Sequence, residues 1–325
     1  MANLNTTYAG LKLRNPFIIS SSGLTSSLDR IRKFDSLGAG AVVIKSLFEE
    51  QIMFDVDALA DTSDYPEAYD YVKRYSKENS VGEYLELIRS AKKAVQIPII
   101  ASINCVSSGE WVNFASRIEE AGADALELNL FILPLDKNKS AHDYEAVYFE
   151  VIEKLKELIN IPIIIKIGSQ FTNPLNLVNQ LYFRKADGVV MFNRFYSPDI
   201  DLDDMTMVSS EVFSSPSDLR NTLRWTGIVS GEVPEMNIAA STGVHSGEAV
   251  IKLLLAGATT VQICSVLYKN GVEYLTDLID KLETWMLTNK YKSIDDFRGK
   301  MNYSNLNDPL VYERSQFMKY FSNLH

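Results

Sequence analysis

Short apolar runs rich in β-branched residues alternate along most of the chain with longer segments of amphipathic, helical periodicity. The apolar runs predict eight strands, at residues 17–20, 41–45, 98–103, 125–129, 162–166, 188–192, 237–240 and 260–263. The periodic segments predict helices at residues 27–37, 81–95, 110–121, 144–159 and 247–255. Several strands show no polar alternation, as expected of parallel strands covered on both faces. The pattern predicts an α/β protein with one domain over residues 1–325, a (β/α)8 TIM barrel.

Glycines near the starts of predicted strands support this topology. Gly40, Gly122, Gly188 and Gly257 lie at or just before four of the strands, where a preceding helix ends in the left-handed turn that glycine adopts most easily. The alternative is a doubly wound sheet, which usually has fewer strands and a glycine-rich first turn. Because the sequence contains no G-x-G-x-x-G motif, the barrel is favoured.

Two long segments, residues 51–80 and 195–215, interrupt the alternation and are rich in Asp. Each follows a predicted strand, so in a barrel both extend from the C-terminal face, where active sites lie. They are either decorated surface loops or lids over a cavity, and their location favours lids.

Composition restricts the functional class of the protein. The chain has 325 residues, is 46% hydrophobic and 23% charged, and carries a net charge of −10. The apolar content excludes a disordered chain, the apolar runs are too short to span a membrane, and the acidic balance argues against nucleic acid as a partner. No secretory signal is visible at the N-terminus. We therefore expect a cytoplasmic protein in which Cys105 and Cys264 are reduced thiols.

Polar residues end three of the predicted strands: Lys45, Asn129 and Lys166. Lysine is seldom fully buried without a partner, so two lysines at strand ends predict an anionic or electron-rich ligand between them. Small residues follow the last two strands, at 241–243 and 264–265, and leave backbone N–H groups open to a phosphate. Together these features predict a phosphorylated planar cofactor across the barrel mouth.

Other kinds of site are not indicated. The sequence has no H-E-x-x-H or C-x-x-C motif, and its three histidines, His142, His245 and His325, are scattered, so no metal site is predicted. His245 lies in the proposed phosphate turn, where we expect it to face solvent. Because Lys166 ends a predicted strand, an enzyme that forms a Schiff base on this lysine is a further alternative to a cofactor-binding barrel.

Collinear motifs give the chain a resemblance to a known family. They are residues 4–8 with 15–17, GAGAVVIKS (38–46), IASINC (100–105), AGADALELNL (121–130), STG (241–243), GATTVQICSVL (257–267) and YKSIDDFRG (291–299). In these segments the chain resembles the dihydroorotate dehydrogenase family, and within it the soluble class 1 enzymes and the flavin domain of dihydropyrimidine dehydrogenase. The resemblance covers nearly the whole chain.

The resemblance implies an FMN-binding barrel with its cofactor at the C-terminal mouth. It assigns catalytic roles to Lys45, Asn129 and Asn193, and places Lys166 near the N1–C2=O edge of the flavin. The implied cofactor-binding residues are Ser21, Ser22, Gly23, Lys45, Ser46, Asn129, Lys166, Ser241, Thr242, Gly243, Cys264 and Ser265. A reduced flavin carries negative charge that the two lysines would offset.

The chain departs from the family on the substrate side. The family's loop after strand four reads Asn-Leu-Ser-Cys-Pro-Asn, with Cys as the base, whereas this chain has Ile132 at the Cys position and Pro134 at the last Asn. Arg194 stands where class 1 enzymes usually carry Ser or Thr, and Ser214–Ser215 replaces a Gly-Gly pair. An alkyl side chain cannot accept a proton, so we do not expect ordinary dihydroorotate oxidation. Cys105 is a candidate replacement base.

The sequence thus predicts an FMN-dependent oxidoreductase that transfers hydride between a small cyclic, possibly pyrimidine-related substrate and flavin at a CH–CH bond. The alternative is a non-catalytic or regulatory flavin-binding barrel without dihydroorotate dehydrogenase activity. By analogy with class 1 relatives we expect a homodimer, with a small-molecule substrate and neither a nucleic acid nor a membrane as partner.

Overall fold

The computed structural model describes residues 2–52, 81–194 and 197–313. The first long segment predicted as a lid, residues 51–80, therefore falls almost wholly outside the described residues, as do two residues at the start of the second.

A closed, parallel barrel forms the body of the protein. The strands are β1 (Thr6–Tyr8), β2 (Leu11–Leu13), β3 (Phe17–Ile19), β4 (Ala41–Val43), β5 (Leu47–Phe48), β6 (Ile99–Cys105), β7 (Ala125–Leu130), β8 (Ile163–Ile167), β9 (Gly188–Met191), β10 (Pro198–Asp201), β11 (Thr206–Ser209), β12 (Ile238–Ser241) and β13 (Thr260–Ile263). The barrel order is β4-β3-β13-β12-β9-β8-β7-β6, and pairing of β4 with β6 closes it. The predicted (β/α)8 TIM barrel is confirmed.

Helices follow the barrel strands and cover them. They are α1 (Leu28–Ser36), α2 (Val81–Ala94), α3 (Phe114–Glu120), α4 (Ala141–Leu158), α5 (Pro174–Phe183), α6 (Leu219–Glu232), α7 (Gly247–Leu255), α8 (Ser265–Asn270) and α9 (Tyr274–Thr288). The five predicted helices correspond to α1 to α4 and α7, with ends that differ by a few residues. Helices α5 and α6 lie in two connections between barrel strands for which the sequence pattern predicted no helix. None of the described helices is long and apolar enough to cross a membrane.

The apolar core has two layers. The larger one lies between the strands and the helices, and the smaller one fills the barrel interior with residues such as Ile18, Val43 and Ile100. The β1–β2 hairpin carries Tyr8 into this interior, against Gly188 at the start of β9. The hairpin therefore closes the amino-terminal end of the barrel and leaves its carboxyl-terminal end as the face available for a site.

The second predicted excursion is partly a β-hairpin. Strands β10 and β11 pair antiparallel between β9 and α6, and nearly all of their residues are exposed. Only the segment that follows, around Phe213 and Ser214, returns to the barrel mouth. The second excursion thus consists of an exposed β-hairpin, β10–β11, followed by a short segment that lines the barrel mouth.

Candidate functional site

A cavity of about 410 Å³ opens at the carboxyl-terminal end of the barrel. It is lined by Ser20, Ser21, Ser22, Lys166, Asn193, Arg194, Val212, Phe213, Ser214, Ser241, Thr242, Gly243, Val244, Gln262, Cys264, Ser265 and Tyr268. These residues come from the ends of β3, β8, β9, β12 and β13 and from the segment before α6. Its volume and mixed lining are typical of a small-molecule or cofactor site.

Lys166 forms the buried, cationic end of this cavity. Its side chain is 6% exposed, and its Nζ donates to Ser20 Oγ at 3.1 Å and to Gln262 Oε1 at 3.2 Å. The fully buried Glu127 places Oε1 at 3.6 Å from the same ammonium group. A positive charge is therefore held at the cavity floor by three polar side chains.

Two asparagines lie beside this lysine. Asn129, on β7, is in register with Lys166 on β8, and its Oδ1 accepts a hydrogen bond of 2.9 Å from Asn193 Nδ2. Asn193 lines the cavity, whereas Asn129 stands behind it. The bond orients the Asn193 amide towards a ligand in the cavity.

Serine hydroxyls connect the ends of β3, β4 and β6. Ser21 Oγ lies 2.9 Å from Ser46 Oγ and accepts from the Ser46 backbone N–H at 2.8 Å, and Ser46 Oγ lies 2.8 Å from Ser102 Oγ. Lys45 precedes Ser46, is half-buried, and does not line the cavity; nor do Gly23 and Ser46. The structure thus places Lys45, which follows β4, at the same barrel end as Lys166, although it is not among the residues that line this cavity.

The opposite end of the cavity is a tight turn after β12. Thr242 and Gly243 both have left-handed backbones, with φ of 79° and 83°. The Thr242 hydroxyl donates to the carbonyl of Phe192 at 2.8 Å, and the Thr222 hydroxyl donates to the carbonyls of Ser241 and Thr242. The turn is therefore fixed from β9 and from α6, with its small residues facing the cavity.

His245 crosslinks this turn to the segment before α6. Its Nε2 lies 2.9 Å from Ser214 Oγ, and the Ser214 backbone N–H donates to Ser265 Oγ at 3.1 Å. We expected His245 to face solvent; it is instead half-buried, because the segment carrying Ser214 folds back over it. Desolvation, and then the nearby Lys269, lower the pKa of His245, which favours the neutral ring.

One wall between the two ends is aromatic. Phe213 and Tyr268 stack with ring centroids 5.0 Å apart, and the Tyr268 hydroxyl lies so close to Gly23 that a Cβ there would meet it at 2.8 Å. Cys264 also lines the cavity, and desolvation raises its pKa. The wall is suited to packing against a flat ligand.

Three residues that the sequence analysis singled out on the substrate side are Ile132, Cys105 and Arg194. Ile132 is partly buried and packs against the core. Cys105 is fully buried, desolvation raises its pKa well above the usual range, and it is not among the residues that line the cavity. Arg194 lines the cavity but is held by Asp218 at 2.8 Å and by the Glu211 carbonyl at 2.8 Å.

Sequence reasoning missed five residues that shape the site: Ser20, Glu127, Phe213, Gln262 and Tyr268. Glu127 was detectable, since it lies two residues before Asn129 on β7 and side chains two apart on a strand share a face. Gln262 was the one polar side chain of larger size in the apolar run of β13. The two aromatic residues carried no such signal. Among the described residues, no group of three His, Cys, Asp or Glu could hold a metal ion.

Comparison with known proteins identifies the family to which the chain is similar. Residues 70–286 match the family model described as Dihydroorotate dehydrogenase. The chain is 27% identical over 312 residues to the dihydroorotate dehydrogenase B (NAD(+)) catalytic subunit of Thermoplasma volcanium, an alignment that covers 92% of this chain and 98% of that protein. It is 25% identical over 321 residues to dihydroorotate dehydrogenase A (fumarate) of Lactococcus lactis subsp. cremoris, covering 92% and 99%.

Proposed function

Because the chain belongs to the dihydroorotate dehydrogenase family of flavin-dependent oxidoreductases, we propose that it binds FMN and transfers hydride between a small cyclic substrate and the flavin. The family relationship supports oxidoreductase chemistry at a CH–CH bond, with a substrate related to pyrimidines. The sequence identity between this chain and the compared dihydroorotate dehydrogenases is low, and this is compatible with a different substrate.

The residues of the cavity fit FMN at both ends. Lys166 would lie at the electron-rich edge of the ring, and the turn of Ser241, Thr242 and Gly243 would bind the phosphate with Ser265. Bound FMN would supply a ring that accepts hydride and keeps the resulting negative charge. The observation that carries the proposal is one cavity with a buried ammonium group at one end and a turn of small residues at the other.

The roles of the chain's own groups follow from their positions. Lys166 offsets negative charge on the ring, and Asn193, oriented by Asn129, donates or accepts a hydrogen bond at the ring or substrate. For Lys45, at the end of β4, the role on the substrate side rests on the family resemblance, since this residue does not line the cavity. Because Lys166 is engaged with Glu127 and Gln262, a Schiff base on this lysine is not favoured.

The substrate is proposed to differ from dihydroorotate. General-base catalysis contributes about 10²–10⁴-fold in rate, and neither Ile132 nor the buried Cys105 supplies a base. Dihydroorotate would therefore reduce the flavin slowly.

Purification and anaerobic mixing test the proposal. We expect a yellow protein, or a colourless one that takes up FMN stoichiometrically, with the visible absorbance bands of oxidised flavin. Failure to bind FMN would contradict the proposed function. Rapid bleaching by dihydroorotate in stopped flow would show that another group replaces the missing base. Bound flavin that no cyclic substrate reduces would favour the non-catalytic alternative.

A further inference from the structure

Directly beneath the proposed ring site lies a carboxylate that the proposed function does not use. Glu127 is on β7, two residues before Asn129, so both side chains point into the barrel. Glu127 is fully buried, and its Oε1 has no hydrogen-bond partner in the described structure. The other oxygen accepts from Gln262 Nε2.

The side-chain amide of Gln262 forms hydrogen bonds with both Glu127 and Lys166. Its Nε2 donates to Glu127 while its Oε1 accepts from Lys166 Nζ at 3.2 Å and from Ser20 Oγ at 3.1 Å. Turning the amide over would place a donor against the ammonium group and an acceptor against the carboxylate. The amide therefore fixes the 3.6 Å separation between Glu127 Oε1 and Lys166 Nζ.

Burial makes this charge pair energetically significant. An isolated ionised carboxylate is very costly to bury, and buried ion pairs often contribute little net stability compared with apolar residues. Stability alone is thus a weak reason for an ionised residue at position 127. The pair lies directly below a cavity that we propose receives a ring whose charge changes when it is reduced.

We propose that Glu127 is a positioning residue that partly neutralises Lys166 and so sets how strongly the site prefers reduced over oxidised FMN. This inference rests on the proposed binding of FMN. With Glu127 ionised, the Lys166 charge is shared between the carboxylate below and the ring above, because opposite charges a few ångströms apart in a buried site interact strongly. Without the carboxylate, the ammonium group would act on the ring alone.

The ratio of the dissociation constants for oxidised and reduced FMN measures this preference. It is obtained by linkage from the midpoint potentials of bound and free FMN. We expect Glu127→Gln to raise the ratio about tenfold or more, since a nearby charge commonly changes such equilibria by that factor. Tenfold corresponds to a potential about 30 mV more positive for a two-electron couple. Glu127→Asp keeps the negative charge but moves it away from Lys166, because the side chain is shorter. We expect this variant to give a smaller rise in the ratio.

Glu119→Gln is the matched control, because it removes a carboxylate that accepts from the Asn160 and Ile161 backbone N–H groups at the opposite barrel end. Its ratio should equal that of the wild type. Circular dichroism checks folding, and Glu127→Asp decides the question if Glu127→Gln does not fold. An unchanged ratio in proteins that bind FMN would overturn the inference, whereas loss of FMN binding by the wild type would overturn the proposed function instead.

Discussion

At the scale of single residues, the turn after β12 shows how tightly packed the proposed phosphate-binding end of the cavity is. A non-glycine residue with positive φ is uncommon, and a β-branched one more so; Thr242 nevertheless adopts φ of 79°. Its hydroxyl bond to the Phe192 carbonyl holds it there. Gly243 follows with φ of 83°, and a Cβ on it would meet the Leu219 backbone nitrogen at 2.1 Å. Only glycine fits between this turn and the start of α6.

Gly243→Ala is expected to lower both stability and FMN affinity. The left-handed backbone alone costs a non-glycine residue about 1–2 kcal/mol, and the contact with Leu219 adds to it because backbone atoms must move. Gly10→Ala is the control, since Gly10 has φ of 78° but a Cβ on it would meet nothing within 4 Å. Urea unfolding and FMN titration of both variants measure the difference. Equal losses in the two would show that the contact with Leu219 has no effect.

At the scale of elements, α6 shows why some of the fold was not visible in the chain. Its buried positions are Thr222, Thr226, Gly227, Val229 and Ser230, so small and hydroxyl residues outnumber large apolar ones on its buried face and the apolar signal in the sequence is weak. A Cβ on Gly227 would meet the Tyr312 ring at 2.4 Å. The small residues are there because the C-terminal segment packs against this helix, a contact between positions far apart in sequence.

The loops that carry the site are also joined to one another, and we expect the strength of this contact to depend on pH. His245, between β12 and α7, bonds Ser214, which precedes α6, and burial lowers the pKa of His245 in the folded state. The unfolded chain therefore takes up this proton first, near pH 6.5. The stability contribution is present above that pH and is lost as the pH falls towards the folded pKa.

The free energy of unfolding of the wild type should thus decrease more between pH 7.5 and pH 5.5 than that of His245→Gln. Urea unfolding at several pH values measures it. His142→Gln, which changes an exposed histidine at the start of α4, should follow the wild type. The same pH response in all three proteins would contradict the assignment to His245.

At the scale of the whole molecule, the part of the C-terminal face that the structure describes includes an exposed acidic hairpin and an exposed loop with two lysines. The β10–β11 hairpin exposes Leu202 and Met205, each 86% exposed, and residues 197–213 contain acidic residues but no Lys or Arg. The loop after β7 exposes Leu133 and Leu135 next to two lysines at 137 and 139. In a two-fold dimer the hairpin of one copy can bind the loop of the other, and the reverse contact forms by symmetry.

We therefore expect a homodimer held by this pair of surfaces. Charge reversal of the hairpin (Asp203→Lys with Asp204→Lys) or of the loop (Lys137→Asp with Lys139→Asp) should each give monomers, and all four changes together should restore the dimer. Analytical ultracentrifugation measures the state. Asp280→Lys with Lys93→Asp, on exposed helix positions, is the control and should remain dimeric. A monomeric wild type, or a dimer that tolerates either reversal, would contradict this arrangement.

The barrel and the ends of its strands could be predicted from the chain itself. Parallel strands buried on both faces require continuous apolar runs, and this local requirement marks where Lys166 and Asn129 end such runs. What surrounds those side chains could not be predicted in this way. Strands and loops distant in sequence are joined by the pairing of Lys166 with Glu127 and Gln262 and by the bond between His245 and Ser214. Such contacts leave no local pattern, because only closure of the barrel brings these residues together.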